Sequence, residues 1–147
     1  MICMVRKNRF LLLLLLMVLL LHGCGSVNTE KIRFDRDETL CITLENRTLI
    51  CAGISDELLK QPVSLEVNDH VWNVVDEVFG GKKVALSDAP YAGEHMIKIS
   101  NPEMTLWISD GSQVVVSKDG LYGSFDLSEK ETETVYELIR SEYRPDA

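Results

Sequence analysis

The sequence predicts an α+β fold: an antiparallel β-meander with two helices on one face, an N-terminal β-hairpin, and a hydrophobic helix ahead of the domain. Three observations carry this. Four short alternating stretches, 94–100, 104–109, 113–118 and 121–125, are separated by Asn101-Pro102, Asp110-Gly111 and Asp119-Gly120. Asp-Gly between alternating runs is a strong signal for a two-residue hairpin turn. Residues 69–79 and 129–143 carry apolar side chains at helical spacing. Twelve apolar residues, 10–21, stand together at the front, behind Arg6, Lys7 and Arg9.

That front run is shorter than the roughly 20 apolar residues a membrane-spanning helix needs. It fits the apolar core of an export signal, which follows a basic start and precedes a small residue at the cut. Leu21-His22-Gly23-Cys24 comes next. These four residues resemble the lipobox of bacterial lipoproteins, although His22 stands where that family usually has a small or apolar residue. The resemblance implies cleavage between Gly23 and Cys24 and a diacylglycerol on the Cys24 sulfur, with palmitate-type chains. Leu21 suits a lipobox and not an ordinary signal site, which prefers small residues at both −3 and −1. Two acyl chains hold a protein to a bilayer stably where one does not. The expected organisation is a signal peptide over 1–23, a polar tether over 24–37 and one α+β domain over 38–147, anchored on the outer side of a bacterial membrane.

Cleavage would leave 124 residues, enough for one domain with a core of its own. All 23 acidic residues follow Cys24, whereas three of the 15 cations precede it, so the mature net charge is −11 and not −8. Such a surface excludes nucleic acid and anionic headgroups as electrostatic partners. Membrane contact then rests on lipid alone.

Cys41 and Cys51 bracket 42–50, ITLENRTLI. This reads as two strands around Glu45-Asn46-Arg47, with the cysteines facing each other across a three-residue loop. In an exported chain such a pair is a disulfide candidate. The alternative is two buried thiols, since cysteine is among the most buried residues.

Residues 63–67 alternate and read as a strand. Asn68 or Asp69 then caps a helix to about Phe79, with Val71, Val75 and Val78 in line. Gly80-Gly81 ends it, and 84–93 reads as a loop. Ser128-Glu129-Lys130-Glu131 matches a capping box, and Val135, Leu138 and Ile139 form the stripe of the helix that follows. Two-residue turns sort the meander into two faces. One collects His95, Ile97, Ile99, Met104, Leu106, Ile108, Val115 and Tyr122, where the helices are expected to pack. The other includes Met96 and Lys98 and holds an apolar group, Trp107, Val114, Val116 and Phe125. That group needs a cover: the cysteine-bracketed hairpin, or an envelope protein partner, because an exposed patch of that size marks a binding surface.

Candidate chemistry is sparse. His70 and His95 sit in no metal-binding spacing, and no serine lies in a nucleophile motif. No metal, cofactor or catalytic residue is expected. The order strand, helix, Ser87-Asp88-Ala89-Pro90 loop, meander and helix, with Ser124-Phe125-Asp126-Leu127 before the last helix, resembles a small extracytoplasmic domain of Firmicutes. That domain has no assigned activity and occurs in short lipoproteins and beside BlaR-type membrane metallopeptidases. The resemblance implies an envelope module for sensing or protein contact. Three functions follow in order: a non-enzymatic interaction or sensing module, an inhibitor or immunity-type protein that captures a basic envelope enzyme, and last an envelope hydrolase.

Overall fold

The computed structural model describes residues 11–18, 28–54, 62–89, 91, 93–109 and 112–143. It is mixed α+β, with antiparallel sheets throughout. Helix α1 covers 11–18. Then come β1 (Asn28–Lys31), β2 (Cys41–Leu44), α2 (Asn46–Cys51), β3 (Val63–Leu65), α3 (Asp69–Phe79), β4 (Lys83–Leu86), β5 (Ile97–Ser100), β6 (Met104–Ile108), β7 (Gln113–Lys118), β8 (Leu121–Asp126) and α4 (Glu129–Glu142). Six strands form one sheet in the order β3-β2-β5-β6-β7-β8, and β1 pairs with β4 in a second.

The helices start where their side chains can satisfy orphan amides. Asn68 Oδ1 accepts from Val71 N at 2.9 Å at the head of α3. Ser128 and Glu131 form a reciprocal capping box on α4: Glu131 N donates to Ser128 Oγ at 3.1 Å, and Ser128 N donates to Glu131 Oε2 at 2.8 Å. α3 ends in a type II turn, in which Lys82 N donates to Phe79 O at 3.3 Å. Gly80 has φ −60 and ψ 134, and Gly81 supplies the positive φ of 81° that this turn demands at its third residue.

The core lies between the large sheet and the helices. Ile42, Leu44, Ile97 and Ile99 meet Val75 and Phe79 of α3 and Val135, Leu138 and Ile139 of α4. The apolar cavity left among them is only about 20 Å³, so the layers pack closely.

The meander register differs from the expectation at one turn. Asp119-Gly120 is a two-residue turn with both φ positive, 52° and 75°, between the paired Lys118 and Leu121. The turn at Asp110-Gly111 is a residue longer. Ser109 N donates to Gln113 O at 3.0 Å, three residues lie between, and Ser112 has φ 60°. Ile108 therefore faces Val114, and Leu106 faces Val116. A one-residue change moves every later side chain to the other face. Val114 and Val116, both fully buried, join the helix-packed face. Trp107 pairs with Val115 on the opposite one. Val115, on that opposite face, is also buried, so all three valines of β7 are out of water in this register, each worth on the order of 1.5 kcal/mol or more. The alternation also breaks at the start of β5. Met96 and Ile97 are both buried, and His95 turns to the Trp107 side, its ring 6.0 Å from the indole.

Two further expectations are corrected. The cysteine-bracketed hairpin does not form: β2 is followed by α2, and Cys41 and Cys51 are both exposed, with no disulfide between them. Thr48, Leu49 and Ala52 are fully buried at helical spacing, while Ile50 is 53% exposed. A short apolar run fits helix and strand alike, and here tertiary burial chose the helix. β2 does not cover the sheet but lies within it, between β3 and β5. The stretch read as a tether is folded from Asn28 onward. β1 pairs with β4, which itself falls in the expected 84–93 loop, and Ile32 is fully buried.

The two sheets meet at β8. Ser87, just past β4, exchanges backbone hydrogen bonds with Tyr122, both at 2.8 Å. Gly123 allows this approach: a Cβ there would lie 2.2 Å from Ala85 O and 2.6 Å from Val84 Cγ2. Lys118 Nζ reaches Glu30 Oε2 at 3.2 Å and ties β7 to β1.

Candidate functional site

A wide cleft opens at the end of the large sheet where β2 leaves and β5 enters. It holds about 550 Å³ and is lined by Glu45, Arg47, Ile50, Glu94 and His95, with Met96 at its floor. Its walls follow from one carbonyl. Met96 O accepts from Glu45 N at 2.8 Å and from the Thr48 hydroxyl, so the first turn of α2 is pinned to the head of β5. Thr48 is buried and its hydroxyl is satisfied there, as a buried polar group must be. That pinning sets Arg47 against Glu94, and the two form an ion pair. Their side chains are 68% and 80% exposed, so the pair is screened and contributes little to stability.

Two carboxylates, one guanidinium and an imidazole beside a half-exposed indole can hydrogen-bond a polar chain and stack on a flat group. No serine is among the described residues lining this cleft. No group of three or more potential metal ligands occurs among the described residues. His70 lies exposed on the first turn of α3 and is not among the residues lining this cleft.

A second cleft of about 350 Å³ lies at the head of α3. Arg36 stacks 4.5 Å above the Trp72 ring and donates from Nη2 to Asn73 Oδ1 at 2.8 Å. The buried Trp72 Nε1 has no protein acceptor among the described residues.

The expected site residues fall apart in space. Trp107 stays on the outer sheet face beside His95, whereas Val114 and Val116 are in the core. Phe125 lies on the core face, with Lys82 Nζ 5.5 Å above its ring. The four do not make one surface. Gly23 and Cys24 lie outside the described residues. The sequence pattern does not reveal the cleft at Arg47 and Glu94, because it needs α2 where alternation predicts a strand; the Thr48, Leu49, Ala52 spacing is the signal for the helix. Compared with family models, curated proteins and solved structures, the chain matches none.

Proposed function

We propose that this chain is a lipid-anchored, extracytoplasmic, non-enzymatic interaction or sensing module of the bacterial envelope. The observation that supports it most is the state of 11–18. Leu11 to Leu16 are 56–70% exposed, so a run of leucines that any soluble domain would bury is left off the core. No described helix is long and apolar enough to cross a membrane. An unpacked apolar helix between three cations and Leu21-His22-Gly23-Cys24 is what a removable lipoprotein signal requires. The test is mass spectrometry and membrane fractionation of wild type and Cys24→Ser. Wild type should carry a diacylglyceryl Cys24 as its first residue and sediment with membranes. Cys24→Ser should stay uncut or be released. A membrane-bound Cys24→Ser protein of normal mass overturns the reading.

The mature charge of −11 favours a second reading, an inhibitor or immunity-type protein for a basic envelope enzyme. A nanomolar, salt-sensitive complex with such an enzyme would support it.

A further inference from the structure

We infer that the anchored domain stands on the bilayer by one defined end, with the β5–β6 and β7–β8 turns at the headgroups and the Arg47–Glu94 cleft turned away. This rests on the anchoring reading above. It follows from how little chain separates Cys24 from the fold. Asn28, the first residue of β1, is four residues beyond Cys24. Extended chain covers at most about 3.6 Å per residue, so Asn28 lies within about 14 Å of the lipidated sulfur. The polar stretch expected as a fourteen-residue leash is spent on a strand.

The registers say which end of the domain Asn28 occupies. It faces Leu86 across the β1–β4 pair. The next residue, Ser87, bridges to Tyr122. Tyr122 lies beside the β7–β8 turn, which Lys118 and Leu121 close. Met104 pairs with Lys118, and Asn101 N donates to Met104 O at 3.0 Å, so the β5–β6 turn sits at that same end. Glu103 and Asp119 mark its surface. The cleft is at the other end. Leu44 pairs with Ile97, Ile97 with Ile108, and Ile108 with Val114. Glu45 and Met96 continue outward from that row. Asn28 lies level with Gly123 and Val116, so Glu45 and Met96 are about 10 Å farther along the strands, and β5 lies three strands, about 14 Å, across from β8, together about 17 Å. The cleft is thus farther from Asn28 than the leash is long. The surface offered to partners is the Glu45, Arg47, Glu94 and His95 end. It suits an aqueous polypeptide segment and not a headgroup or a membrane-embedded helix.

The test uses the full, lipidated protein in phosphatidylethanolamine–phosphatidylglycerol vesicles. Cys41→Ser and Cys51→Ser remove the exposed thiols, and a fluorophore is placed at Asp119→Cys or Glu94→Cys. Lipids spin-labelled at the headgroup should quench the probe at 119 severalfold more than the probe at 94. Twelve Gly/Ser residues inserted after Ser26 should abolish that difference. Equal quenching at both positions without the insertion, or stronger quenching at 94, overturns the orientation. A protein that fails to float with the vesicles and lacks the lipid mass overturns the anchoring reading, and the orientation with it. Floating with uniform quenching removes the orientation alone.

Discussion

Lys82 Nζ lies 2.7 Å from Glu131 Oε1, so the turn that ends α3 is locked to the first turn of α4 by one ion pair. The other Glu131 oxygen is the acceptor of the capping box. One carboxylate therefore serves two junctions, while its partner cation rests over the Phe125 ring. The hydrogen bond from Lys82, and after it the Ser128 N–H, hold the Glu131 carboxyl below its ordinary value of 4.5.

A carboxyl depressed on folding contributes stability that is present above its unfolded value and lost as pH falls through the folded one. Wild type is expected to lose melting temperature on acidification below about pH 4.5 more steeply than Glu131→Gln. At pH 7, Glu131→Gln or Ser128→Ala should cost about 1 kcal/mol. Thermal unfolding across pH 3–7 reads both. At the other extreme, the hydrogen bond from Lys118 to Glu30 raises the Lys118 ammonium above 10.5. Its contribution is full below 10.5 and disappears as pH rises through the folded value.

Gly123→Ala should weaken the seam between the sheets. The added methyl would sit on Ala85 O and Val84, neither of which is the free end of a flexible chain. We expect a loss of about 1–3 kcal/mol in chemical denaturation, with amide exchange rising first in β1 and β4.

The two faces of β6 are told apart by a pair of truncations. Leu106 is fully buried, so Leu106→Ala should cost about 2–5 kcal/mol. Trp107, half-buried on the outer face, should cost markedly less as Trp107→Ala and leave the protein folded. A Trp107→Ala variant that unfolds at room temperature would contradict the outer placement of Trp107.

The exposed Cys41 and Cys51 thiols should both react with maleimide in the native protein. Reductant should leave the melting temperature unchanged. A reductant-sensitive transition would restore the cysteine-bracketed hairpin.

What was legible in the sequence was local. Asn68, Ser128 and Glu131 announce their helices because a capping side chain bonds an amide two or three residues away. Asp119-Gly120 announces its turn because both residues must take positive φ. The same Asp-Gly pair at 110–111 misleads, since the choice between two and three loop residues is made by what Val114 and Val116 bury against, far from the turn. β1 was unreadable for a related reason. Asn28-Thr29-Glu30-Lys31 has no alternation, and its strand exists only because β4 offers it an edge. The cleft depended on α2, and so it went unseen with the helix.

The pairing of Asn28 with Leu86 also orders events in time. The first strand to leave the ribosome has no partner until 58 more residues have been made, and its mate is fastened by Tyr122, later still. Long-range pairings of this kind close late and slowly. The amino-terminal segment must therefore stay loose through most of synthesis, and any chain cut short before β8 is left with an unclasped front.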